Sequence, residues 1–125
     1  MAWKLSGDRP IYLQLMERIQ VEIVAGRYPP GSRLPSVREL AAQAAVNPNT
    51  MQKALSELET SGLVYSQRTS GRMITEDEEM IRNLRLGLAR EQAGEFLEKM
   101  ESLGFAPRET LELIQKLVEK KEEEV

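Results

Sequence analysis

Asn49, Gln52, Lys53 and Ser56 recur at spacings of three and four, while the apolar residues Met51, Ala54, Leu55 and Leu58 share the other face. A helix over this stretch carries the polar group on one face and buries the other. Amides on such a face suit base edges, since Asn or Gln can pair bidentately with adenine, and Thr50 can touch a base edge or the thymine methyl. Arg38 lies on the outer face of a preceding helix-forming stretch, close to Ser36 at its start, where phosphates are favoured by both the guanidinium and the helix N-terminus. Arg33, Arg68 and Arg72 extend that positive rim. Each signal is weak taken singly: polar outer faces are the default for surface helices, and a lone surface Arg more often pairs with a carboxylate. Four arginines around two adjoining helices favour contact with a polyanion.

The rest of the composition excludes most catalytic designs. The 125 residues include no histidine and no cysteine, which removes the commonest general base and metal ligand together with disulfides and thiolate sites. Ser36 and Ser70 have no His partner, and Asp8 and Asp77 are the only aspartates. The acidic runs at residues 76–79 and 122–124 fall at a helix start and a fraying tail, so they have structural explanations. The expectation is no enzyme, no cofactor and no metal site.

Net charge is −3, which argues weakly against nucleic acid, but residues 1–75 carry nine basic and six acidic side chains and residues 76–125 carry eight and fourteen. The positive first part suits a polyanion, while the acidic second part should project away from one. No apolar run approaches the roughly 20 residues that span a bilayer. Met1-Ala2-Trp3-Lys4-Leu5 also lacks the apolar stretch and cleavage site of a signal peptide. No membrane partner and a cytoplasmic location are expected.

These residues need elements to hold them. Residues 1–9 read as irregular, with room for one short strand around Trp3 to Leu5. Pro10 suits a helix start, Tyr12, Leu15, Met16, Ile19 and Ile23 recur at helical spacing, and Gly26 offers a terminating conformation. Tyr28-Pro29-Pro30-Gly31 enforces a turn. Ser36 and Glu39 have the spacing of a capping box, which starts a helix near Val37 with Val37, Leu40, Ala41 and Ala44 inward. Asn47 as N-cap and Pro48 behind it start the next helix, one or two residues later, which runs to Gly62. Leu63 to Gln67 and Arg72 to Thr75 are β-prone runs around a hairpin tip, Arg68-Thr69-Ser70-Gly71. After a potential N-cap at Thr75, a long helix runs to about Leu103; Gly104-Phe105-Ala106-Pro107 breaks it, and a last helix follows.

Several short motifs combine here at fixed spacing: Pro10-Ile11-Tyr12 with Gln14-Leu15, Pro30-Gly31, and Leu34-Pro35-Ser36-x-Arg38-Glu39-Leu40-Ala41. They continue through Val46-Asn47-x-x-Thr50, Lys53-Ala54-Leu55-x-x-Leu58-Glu59, Gly62-Leu63-Val64-Tyr65 and Arg68-x-x-Gly71. Over residues 10–75 the pattern resembles the GntR family of transcriptional regulators, and the short helical tail resembles its YtrA-like subfamily. The resemblance implies that Ser36 and Arg38 contact DNA backbone or base edges. It makes Asn47, Asn49, Thr50, Gln52 and Lys53 the recognition surface, and it brings the wing, Arg68, Thr69, Gly71 and Arg72, to the minor groove. Thr69 stands where the family usually has the first wing glycine, and Met73 replaces the usual aromatic. The resemblance further implies a bacterial source, usually repression, and often control of nearby transporter genes.

The expected fold is mainly α: a winged helix-turn-helix domain with a small β-hairpin wing over residues 1–75, then a helical dimerisation segment of two antiparallel helices over 76–125. Ile81, Leu84, Leu88, Phe96, Leu97 and Met100 form an apolar stripe that two amphipathic helices cannot hide alone, so a homodimer is expected. The expected partners are double-stranded operator DNA and a second copy of the chain. The operator is expected to be palindromic, with the helix from Pro48 to Ser61 in the major groove. A small-molecule effector of unknown identity, should one act, is expected at the dimer interface near Phe96, Met100 and Phe105. The alternative is a winged-helix module that binds protein rather than DNA.

Overall fold

The computed structural model describes residues 2–124. It contains helices α1 (Ile11–Val24), α2 (Val37–Ala44) and α3 (Pro48–Ser61), strands β1 (Val64–Gln67) and β2 (Gly71–Ile74), and helices α4 (Glu78–Ser102) and α5 (Pro107–Glu123). Two compact units divide inside α4, after Arg85. The charge change in the sequence falls earlier, after Thr75.

In the first unit, α1 packs on α3 and α2 packs across α3. Leu15 and Ile19 of α1, Leu40 of α2 and Met51, Leu55 and Leu58 of α3 are fully buried. Burial of each such side chain contributes about 1.5–3 kcal/mol. That matters most for α2, whose eight residues are too few to hold a helix in water without tertiary support. Its start is sharpened by the expected capping box: the Glu39 N–H donates to Ser36 Oγ and the Ser36 N–H donates to Glu39 Oε1, both at 3.1 Å.

Helices α2 and α3 are separated by Ala45, Val46 and Asn47, one residue more than the sequence suggested. The extra residue is consumed by the helix end: Ala45 has φ 58°, and the Val46 N–H turns back to the Ala41 carbonyl at 3.0 Å. Gly62 ends α3 with φ 87°, a left-handed conformation that glycine adopts without strain. The antiparallel hairpin pairs Val64 with Ile74 and Gln67 with Gly71, and Val64 and Ile74 enter the core.

The segment before α2 forms a third line of pairing that the sequence did not reveal. The Leu34 N–H donates to the Arg72 carbonyl at 2.9 Å and the Ile74 N–H donates to the Ser32 carbonyl at 2.8 Å, with an isolated bridge between Arg33 and Met73. Conversely, no strand forms at Trp3 to Leu5. The amide of Gln14 takes up that segment's backbone instead, accepting from the Ser6 N–H and donating to the Ser6 and Arg9 carbonyls, while Trp3 and Leu5 pack on the core.

Helix α4 is capped by Asp77 rather than by Thr75, its Oδ1 accepting from the Met80 N–H at 3.1 Å. Within the first unit, Met80, Ile81 and Leu84 lie against the core, so these two members of the expected dimer stripe, Ile81 and Leu84, are partly spent on covering it. In the second unit, the Phe105 N–H returns to the Met100 carbonyl at the break after α4, and the Glu109 carboxylate accepts from the Ala106 N–H to start α5. Met100 and Thr110 are buried beside this turn. Phe96 is 40 % exposed, Leu97 37 %, Leu111 55 % and Leu117 54 %, so an apolar surface stays open on both helices. Among the described residues no helix is long and apolar enough to cross a membrane.

Candidate nucleic-acid interface

Asn47 precedes α3 in extended conformation and its side-chain oxygen accepts from the Asn49 N–H at 2.7 Å. Its carboxamide oxygen is thus engaged in starting the helix. Asn49, Gln52 and Lys53 are exposed on the first two turns and Thr50 is half-buried. The Gln52 amide donates to Ser56 Oγ at 3.3 Å, a long bond that an external acceptor can displace. Lys53 does not extend freely, because its Nζ lies 4.0 Å from the centroid of the Tyr12 ring on α1.

A second group of side chains converges between α2 and the wing. Arg33, Ser36 and Arg38 line one side of an open groove of about 420 Å³, and Ser66, Gln67, Gly71 and Arg72 line the other. Arg33, Arg38 and Arg68 form no ion pair among the described residues. Glu39, exposed on the first turn of α2, is held below the usual carboxylate range, first by the Ser36 N–H and hydroxyl, with Arg33 adding a smaller electrostatic pull. Gly71 carries the chain into β2 with φ 84°, and a Cβ there would point at the Arg33 guanidinium, 3.8 Å away. Arg68 and Thr69 are exposed at the hairpin tip, outside the groove lining.

Arg72 differs from the other three arginines. Its Nε donates to Glu59 Oε1 at 2.6 Å, and its side chain is only 17 % exposed. The same carboxylate oxygen accepts from the Ser66 hydroxyl at 2.5 Å. Hydrogen bonding from Ser66, ahead of that from Arg72, keeps the Glu59 carboxyl below the usual range against a burial cost that pushes it up. One residue at the end of α3 therefore clamps both strands of the wing. Sequence reasoning gave no role here to Glu59, Ser66 or Gln67, since their contacts depend on what folding places beside them.

The positive character of this surface is local. Extending the count to Arg85, where the first unit ends, gives eleven basic against ten acidic side chains. Clustering decides the matter rather than net charge: three arginines that form no ion pair among the described residues sit around α2 and the wing, while Glu39 and Glu59 are each already engaged.

A short supporting helix, an exposed amide-bearing helix started by Asn47 and Pro48, and a clamped two-stranded wing define a winged helix-turn-helix DNA-binding protein. Residues 11–74 match the model of bacterial regulatory proteins of the gntR family, and the chain belongs to that family. It is 40 % identical over 116 residues to the uncharacterized HTH-type transcriptional regulator YhcF of Bacillus subtilis strain 168, a match covering 93 % of this chain and 96 % of that one. With the HTH-type transcriptional repressor YtrA of the same organism it shares 43 % identity over 71 residues, 57 % of this chain and 55 % of the relative.

A GntR family transcriptional regulator from Listeria monocytogenes has the same fold, with TM-score 0.80 and 37 % identity over 90 % of this chain and 98 % of that one. The DNA-binding domain of AraR in complex with operator ORX1 aligns with TM-score 0.52 and 32 % identity, covering 60 % of this chain and 92 % of that one. The family is one of DNA-binding transcriptional regulators, not enzymes. A protein-interaction module without DNA binding finds no support among these relatives.

Proposed function

We propose that the chain is a homodimeric repressor that binds a palindromic operator, with one α3 per dimer half in each of two major grooves. Half-sites then lie about 34–36 Å apart or a multiple of that. The observation that carries the reading is the exposed Asn49, Gln52 and Lys53 on α3 beside a groove that gathers Arg33, Ser36 and Arg38. In this reading Asn49, Thr50 and Gln52 meet base edges, with Asn47 at the helix start, while Ser36, Arg33 and Arg38 meet phosphates. Arg68 and Thr69 approach the minor groove, Gly71 lets the hairpin turn tightly, and Arg72 serves through Glu59 by holding the wing.

The open apolar surface of α4 and α5, including Phe96, Leu97 and Leu117, with Leu88 half-buried, supports pairing of two copies, and twofold DNA sites suit a twofold protein. Repression is supported by the similarity to YtrA, which is named a repressor. A cytoplasmic location follows from a DNA target, and an effector, if one acts, belongs at the apolar pairing surface near Phe96 and Phe105, which are exposed, rather than at Met100, which is buried. The test is titration of the protein with its own promoter DNA over a range of salt. The wild type is expected to bind and to weaken steeply with salt; Arg38→Ala should lose affinity and lower the salt slope by about 1. Unchanged affinity and slope would remove Arg38 from the phosphate-contacting set, and no binding by a folded wild-type protein at low salt would overturn the proposal.

A further inference from the structure

Packing of α1 on α3 brings Tyr12, on the first turn of α1, beside Lys53, on the second turn of α3. Tyr12 is half-buried with its ring against the core, so its position is fixed by the fold, whereas Lys53 is exposed and its stem is flexible. The Lys53 ammonium nevertheless rests 4.0 Å from the ring centroid, within the range where a cation is attracted by the negative face of an aromatic ring. This draws the charge sideways, towards α1 and away from the line of Asn49, Gln52 and Ser56. An ammonium seated on a ring keeps N–H donors for an outside acceptor, and as a compact point charge it suits a phosphate oxygen better than the directional edge of a base.

We infer that Tyr12 is a positioning residue that holds Lys53 for a backbone phosphate at the flank of α3, so that Lys53 supplies affinity and register while the amides supply sequence preference. The inference rests on α3 being the helix that meets DNA. It reassigns Lys53 within the expected recognition surface, and it gives a DNA-binding role to a residue of α1 that need not touch the DNA.

The experiment uses the full chain, a duplex probe carrying its bound site, and single-base variants of that probe. Lys53→Met should weaken binding by a similar factor on every probe and reduce the slope of log affinity against log salt by about 1. Tyr12→Leu should weaken binding by roughly two- to fivefold, the worth of an exposed cation–π contact, and should cost nothing further once Lys53 is already Met. Tyr12→Phe keeps the ring and should bind as the wild type does. Nuclear magnetic resonance of the free wild-type protein should show the Lys53 ε-methylene protons shifted upfield by the ring, a readout that requires no variant to fold.

A change of base preference at one position in Lys53→Met would overturn the phosphate assignment. Equal losses from Tyr12→Leu with and without Lys53, an unshifted ε-methylene signal, or a loss in Tyr12→Phe as large as in Tyr12→Leu would overturn the positioning role. If the wild type binds no DNA, the functional reading itself fails, whereas the proton shifts still decide whether the tether exists.

Discussion

Ala45 turns the chain from α2 to α3 at φ 58°, a conformation that crowds a Cβ against the following carbonyl and costs roughly 1–2 kcal/mol for an L-residue. Glycine would remove that strain at an entropic cost of roughly 0.5–1 kcal/mol. Ala45→Gly should therefore raise stability by about 0.5–1 kcal/mol in denaturant unfolding, and a loss of stability would show that the turn is not strained. Other single residues were legible because their partners are close in sequence: Ser36 and Glu39 state their capping box, and Asn47 with Pro48 states a helix start. Arg72 was not legible. Its partner Glu59 lies thirteen positions away across a hairpin, so an arginine that reads in the sequence as part of an exposed rim is drawn inward by a contact that exists only once the wing has folded.

The wing depends on that contact. Two short strands of four residues each hold together weakly alone, and the pairing of Ser32 to Leu34 with β2 together with the Glu59 clamp fixes them to α2 and α3. Because the Glu59 carboxyl is held below its ordinary value of 4.5, the clamp contributes fully above about pH 4.5 and is lost as pH falls through the lowered folded value. Its worth at neutral pH is roughly 1 kcal/mol, since solvent reaches the side chain. Glu59→Gln should be less stable than the wild type by about that amount at pH 7, and the gap should close on acidification below pH 4.5. A gap that stays constant with pH would mean that the ionised carboxylate does not hold the wing. Long, periodic elements such as α1 and α3 were readable from apolar spacing alone. The third line of pairing was hidden because its few residues are flanked by Pro30 and Pro35 and show no alternation, and the strand expected at Trp3 to Leu5 is absent because Gln14 satisfies that backbone with its side chain.

On the scale of the molecule, the first unit presents exposed amides and arginines that form no ion pair among the described residues, and the second keeps large apolar side chains open. The compact boundary inside α4 was invisible to composition, because charge changes where the wing ends while Met80, Ile81 and Leu84 still cover the first unit's core. The two helices that carry the proposed reading surface were legible, since both have local start signals; the way Lys53 and Arg72 are held was not, since both depend on tertiary neighbours. If α3 reads bases and two copies pair through their helical tails, the bound sequence must repeat with twofold symmetry. The most direct measurement is capture of genomic DNA fragments by the folded protein, followed by sequencing. The expected result is a motif of two inverted half-sites whose centres are separated by about 10–10.5 base pairs or a multiple of that; a single unpaired half-site, or no enrichment over bulk DNA at low salt, would contradict it.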